Sequence, residues 1–200
     1  VAAADLLTTT QSQAIQMVAA EARQKSCRAE QPLEARLQHL GFVPGTLAKI
    51  LRYIRDEAQI IIHIDLASRL ECLAKDTHYR NQFETRCTSG SSDLAKRRTW
   101  EDRLFQDIYA KAKPADRVKY GVLNAMNDPR GVSTVAAHYG KDYILLQGVR
   151  LRTTFSDMDS CNAAGQLASC EWYAHVLERY NDLELQAVAE VALGDRLFVE

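Results

Sequence analysis

The chain has 200 residues, with 25 Lys and Arg against 26 Asp and Glu, a formal charge of −1 and an apolar fraction of 46%. These values exclude an intrinsically disordered chain, and the near-neutral balance argues against a polybasic nucleic-acid binder or a surface held to anionic lipid by charge. A chain this long buries about 70% of its unfolded surface, so it needs no disulfide or metal to fold.

Residues 10–26 read as a helix with Ile15, Val18, Ala19 and Ala22 on one face. A second helix is expected to open at Pro32, carry Leu33, Leu37 and Leu40, and stop at Gly41. Thr46 is placed to cap a third helix bearing Leu47, Ile50, Leu51 and Ile54. These helices predict an N-terminal lobe over residues 1–57, ahead of a second domain over residues 58–200.

The period then changes. Residues 59–65 (QIIIHID) are β-branched and predict a buried strand, and Leu66, Leu70 and Leu73 follow at helical spacing. Residues 77–98 are polar and irregular, and a stretch of that length inside a compact domain is often functional. Thr99 with Asp102 reads as a capping box for a helix carrying Trp100, Leu104 and Ile108. Residues 119–124 (KYGVLN) predict a strand and Asp128-Pro129-Arg130-Gly131 a turn. Residues 143–149 and 150–156 read as strands around Gly148. Ser169 is a candidate cap for a helix through Tyr173, Val176, Leu177 and Tyr180. Another helix covers residues 182–193 and stops at Gly194, and residues 196–200 (RLFVE) close as a strand. Leading helices and widely spaced strands predict an α+β fold.

The five cysteines, Cys27, Cys72, Cys87, Cys161 and Cys170, are odd in number and lack the two-residue gap of a zinc knuckle or redox pair. Free thiols in a reducing compartment are expected, and no metal site. No apolar run approaches the ~20 residues of a membrane span. The first residues lack the basic and apolar regions of a signal peptide. The chain opens without Met and ends at Glu200 directly after an apolar run, as a trimmed piece would.

Phosphate-loop, HExxH and GxSxG patterns are absent. Three pieces support chemistry. The first is YRNQFET, residues 79–85, followed by Thr88, Ser89 and Gly90. Arg80 offers a planar fork for phosphate oxygens, and Gly with small hydroxyls lets backbone approach a pyrophosphate. Composition alone fits a solvated, turn-rich loop at least as well. The second is residues 152–156 (RTTFS), where alternation puts Thr154 and Ser156 on one face and Thr153 with Phe155 on the other. Ordinary strand propensity explains it equally. The third is Glu200, a carboxylate after Leu197-Phe198-Val199.

YRNQFET, KYGVLN and residues 152–160 (RTTFSDMDS) together resemble a bacterial domain family that includes the ubiquitin-specific threonine ADP-ribosyltransferases, the CHARM or CteC-like effectors. The similarity runs from about Ile60 to Glu200. It implies an NAD-dependent mono-ADP-ribosyltransferase with a split β-sandwich and helices, secreted or injected into a host cytoplasm. It further implies that ubiquitin is the partner, that modification blocks ubiquitination, and that neither nucleic acid nor membrane is engaged. Such enzymes use an early Arg or His, a central run of small hydroxyls and a late Glu. Here these would be His63 or Arg80, then Thr153, Thr154 and Ser156, then catalytic Glu200. NAD would contact His63, Arg80, Asn81, Thr88, Ser89, Thr154, Phe155 and Ser156, with Phe155 or Phe83 stacking on nicotinamide. The second acidic or amide position that often follows the late Glu falls beyond Glu200. Two other readings stay open: a non-enzymatic α+β interaction module, and a cysteine hydrolase using Cys87 with His138 as base.

Overall fold

Helix α1 (Thr9–His39) is held at its start by a capping box, in which Thr8 accepts from the Gln11 backbone and Gln11 accepts from the Thr8 backbone. It is one helix rather than the two expected, and Pro32 lies inside it. An interior proline costs about 3 kcal/mol. The stripe Ala14, Val18, Ala22, Ser26, Ala29, Leu33, Leu37 stays buried across it. Full burial of Leu33 and Leu37 gives back about 1.5–3 kcal/mol each, so the helix continues. The computed structural model describes residues 7–86, 93–162 and 167–195.

Helix α2 (Thr46–Asp56) starts at Gly45, whose φ of +85° suits glycine. Thr46, expected as the cap, is the first helical residue, and its hydroxyl donates to Val43 O. The free amides are met from α1 instead, where the Glu34 carboxylate accepts from Gly45 N at 2.6 Å and Leu47 N at 3.3 Å. Carboxylate at a helix start also suits the dipole.

Strand β1 (Gln59–Ile64) falls where expected and is buried from Ile60 onward. It is the centre of a three-stranded antiparallel sheet with β2 (Val122–Asn124) and β3 (Asp142–Leu145). Ile61 stands opposite Val122 on one side and Leu145 on the other. Thus only the second half of KYGVLN pairs. Between β1 and β2 come α3 (Leu66–Lys75), the single turn α4 (Gln82–Thr85) and α5 (Leu94–Leu104). Helix α5 starts earlier than expected because Asp93, not Thr99, accepts the capping bond, from Lys96 N. The Thr99 hydroxyl bonds back to Ala95 O inside the helix.

The helix α6 (Ser133–Tyr139) was not signalled in the sequence. Residues 150–152 form a 3-10 turn rather than strand. Arg150 explains it, because its guanidinium donates to Ile54 O and Ala58 O at the end of α2. A two-stranded sheet follows, β4 (Thr154–Phe155) with β5 (Ala168–Ser169), Thr154 opposite Ser169. Ser169 is therefore a strand residue. Helix α7 (Ala174–Leu177) gets its cap from α1, where buried Ser26 accepts from Ala174 N at 2.8 Å. Helix α8 (Asp182–Leu193) has an Asn181–Glu184 capping box and ends at Gly194 with φ +79°, as expected.

The main core joins α1, α2, α7 and α8 with the start of β1, through Leu33, Leu37, Ile50, Ile54, Leu177 and Leu185. Helices of residues 1–57 thus share one interior with the last two helices. The architecture is α+β, and no helix among the described residues is long and apolar enough to cross a membrane.

Candidate functional site

His63 is buried in β1 and its ring is used at both nitrogens. The Val132 N–H donates to Nε2 at 2.9 Å, and Nδ1 faces Gly140 O at 3.0 Å. The pairing requires the neutral ring with its proton on Nδ1. Val132 and Gly140 flank α6, so one imidazole holds both ends of that helix against the sheet. Gly131 (φ +77°) makes this possible, since a Cβ there would stand 2.5 Å from Nε2.

The strings that carry the resemblance come together beside this sheet. Asn81 caps α4 with its side-chain oxygen, and its amide donates to Pro114 O at 2.7 Å and Arg117 O at 3.2 Å. That joins YRNQFET to the segment leading into KYGVLN. Arg117 is buried and donates to Glu101 Oε2 at 2.6 Å and Tyr109 O at 2.8 Å, with its guanidinium 4.7 Å from the Phe83 ring centroid. The Tyr120 hydroxyl donates to the second Glu101 oxygen at 3.1 Å, and Ser160, in the third string, lies near it. Arg103 donates to Cys161 O just beyond it. A buried ion pair between Glu101 on α5 and Arg117 thus sits among pieces distant in sequence.

Burial sets the electrostatics. Glu101 is held above the usual carboxylate range by desolvation, although Arg117 and Tyr120 pull it down. Tyr120 is pushed well up by burial and by Glu101, and Tyr109 up to about 12 by the same two causes. Glu84 lies below its ordinary value: burial raises it, but the Asn81 N–H and His78 more than offset that.

The other expected site residues are dispersed. Arg80 is half exposed and its Nε donates to Asp76 Oδ2 at 2.9 Å. Asn81 is buried with its amide fully used. Thr154 lies in β4 beside Ser169, whose buried hydroxyl has no partner. Thr153 donates to Val149 O, and Ser156 to Met158 O. Phe155 is 7% exposed and packs edge-on against Tyr173; Phe83 is 8% exposed under Arg117. Both rings lie in the protein interior, Phe83 with Arg117 over one face. Cys87, Thr88, Ser89 and Glu200 lie outside the described residues. The four described cysteines are free thiols, and among the described residues no three His, Cys, Asp or Glu are placed to hold a metal.

The sequence reading missed Glu101, Arg117 and Arg97. A signal existed: Arg97, Glu101 and Leu104 recur at i, i+4 and i+7, a charged pair in register with a core leucine, and all three are buried.

These features define an α+β protein in which a histidine-clamped central sheet adjoins a buried Glu101–Arg117 pair with residues of distant strings packed beside it. The chain belongs to the family described as a protein of unknown function, DUF3626, whose model matches residues 62–196. The match begins within β1 and takes in β2, β3, the Glu101–Arg117 pair and α8. No curated protein matches the chain.

Proposed function

We propose that this chain is an NAD-dependent mono-ADP-ribosyltransferase of split β-sandwich type, a secreted or injected effector whose acceptor is a threonine of ubiquitin. The observation that supports the reading is the convergence of YRNQFET, KYGVLN and RTTFSDMDS through Asn81, Tyr120 and Ser160 around the Glu101–Arg117 pair.

In this reading the bond between nicotinamide and ribose breaks with its electron pair leaving on nicotinamide. Positive charge grows on the ribose, and the Glu200 carboxylate stabilises it. The acceptor hydroxyl oxygen then bonds to the anomeric carbon and loses its proton to the carboxylate or water. Arg80 is assigned to the pyrophosphate, and the small hydroxyls of β4 to positioning. The reaction needs orientation more than acid catalysis, because nicotinamide leaves readily.

The test is incubation of the purified chain with labelled NAD and ubiquitin. Labelled ubiquitin is expected, with transfer reduced at least about 100-fold in Glu200→Gln. Neither labelled ubiquitin nor released nicotinamide from the unaltered chain would remove the enzyme reading. That result would favour an interaction module, for which α3 speaks: none of its ten residues is buried, and Leu70 is 57% exposed.

A further inference from the structure

Helix α6 has no buried side chain, so apolar burial holds it only weakly on the sheet. The two bonds to His63 hold it instead. The turn before the helix is tied down separately. Asn124 Nδ2 donates to Asp128 O at 2.8 Å, Asn124 Oδ1 accepts from Asp128 N at 3.1 Å, and the Tyr143 hydroxyl donates to Pro129 O at 3.1 Å. What the ring governs therefore begins at Val132.

The two ring bonds respond oppositely to a second proton. Nδ1 already donates, so a proton on Nε2 keeps the bond to Gly140 O and makes it charge-assisted. Nε2 accepts from Val132 N at 2.9 Å, and a proton there turns the acceptor into a donor. Two N–H groups then point at each other beside a ring that is 5% exposed. An amide left unpaired in such a place is costly, and opening to water relieves it.

The surroundings do not offset the new charge. Among the described residues no carboxylate pairs with the ring. On β3, Tyr143 packs edge-on with centroids 5.8 Å apart, its hydroxyl committed to Pro129. Asp142 stands opposite Ile64 and accepts from Leu66 N through Oδ2. Strand β2 (Val122–Asn124) brings no titratable group. Asp65, next on β1 after Ile64, is exposed, and Asp128 is held by Arg130. His138 on α6 and Lys141 are exposed and could add only positive charge.

We propose that His63 is a pH latch on α6: proton uptake at Nε2 expels the Val132 N–H, and the helix opens from its first turn while its Gly140 end stays bonded. Histidine changes charge between about pH 8 and pH 5, so the latch is shut above that range and open below it. It rests on the two ring bonds and not on the transferase reading.

The test is NMR of the unaltered, 15N-labelled chain from about pH 8 to about pH 5. It reads the His63 ring nitrogens and the exchange protection of each amide against its intrinsic rate at that pH. Protection of the Val132 amide is expected to fall about tenfold or more, with the midpoint of the His63 ring, while the amides of β1 keep theirs. His63→Gln has no proton to gain in this range, so its Val132 protection should be the same at both ends. A Val132 response in His63→Gln as large as in the unaltered chain overturns the proposal. So does any of three results in the unaltered chain: constant Val132 protection, a midpoint that follows the His138 ring instead, or loss at β1 in step with Val132, which would be unfolding of the whole sheet. These three need no variant, so the proposal stays open to refutation even where His63→Gln does not fold.

Discussion

The interior between α1, α2, α7 and α8 and the interior beneath α5 are equally closed to water and oppositely built. In the first, Leu33, Leu37, Ile50, Ile54, Leu177 and Leu185 are fully buried against one another. Stability there follows area, and any apolar side chain of similar volume contributes nearly as well. In the second, Glu101 is 0% exposed and, among the described residues, is matched by Arg117 and Tyr120. Two charges taken out of water repay the desolvation only while every partner is present. Burial itself does not tell whether a residue is replaceable; what it touches does.

The largest effect is expected where that difference is attacked directly. Glu101→Ala leaves the Arg117 guanidinium buried and unpaired, and should cost about 3–5 kcal/mol in urea unfolding. Leu37→Met, which conserves volume in the apolar interior, should cost less than about 1.5 kcal/mol. The double variant Glu101→Leu/Arg117→Met should recover most of the first loss, because the charge is removed with its partner. A double variant as unstable as Glu101→Ala would mean that shape, not charge matching, holds the region together, and the contrast between the two interiors would fail.

Legibility from sequence divides along the same line. Apolar periodicity pointed to α2, β1 and α8, and the Gly194 stop fell where αL geometry requires it. Pro32 misled because a local rule was outweighed by two buried leucines further along the same face. The cap of α7 comes from Ser26, 148 residues away, and the cap of α2 from Glu34, so no local pattern could have shown them. YRNQFET was visible as a string, but not that Asn81 is a strut and Arg80 a surface ion pair. The role of Asn81 depends on carbonyls at residues 114 and 117, which carry no side-chain signal.

A smaller effect tests whether the apolar interior is as free of polar obligation as its residue types suggest. Ser26 lies within the buried stripe of α1 and accepts the Ala174 N–H. Ser26→Ala barely alters volume, yet leaves that buried amide without a partner. The expected cost is about 1–3 kcal/mol by urea unfolding. Stability equal to the unaltered chain would show that α7 tolerates an open first turn, and would make this interior simpler than described.

The smallest effect concerns His175, a titratable ring placed on α7 among apolar neighbours. Its Nε2 faces Leu167 O at 3.2 Å, and its buried Nδ1 has no partner. Burial holds its pKa below the ordinary 6.5, with Lys25 adding to the effect and the Leu167 carbonyl, Glu178 and Asp157 opposing it. A folded ring that holds its proton less tightly than the unfolded one makes proton uptake favour unfolding. The contribution is therefore complete above the unfolded value of about 6.5 and is lost as pH falls from there through the folded one. His175→Gln keeps a donor for Leu167 O but does not titrate, so its stability should fall less between pH 7.5 and 5. Glu84 works in a lower window, because its depressed carboxyl loses stability only as pH drops beneath the ordinary carboxylate range. Urea midpoints for both chains at half-unit pH steps separate the two. Parallel curves would show that the unpaired Nδ1 takes up its proton as easily folded as unfolded, which a site closed to water does not allow.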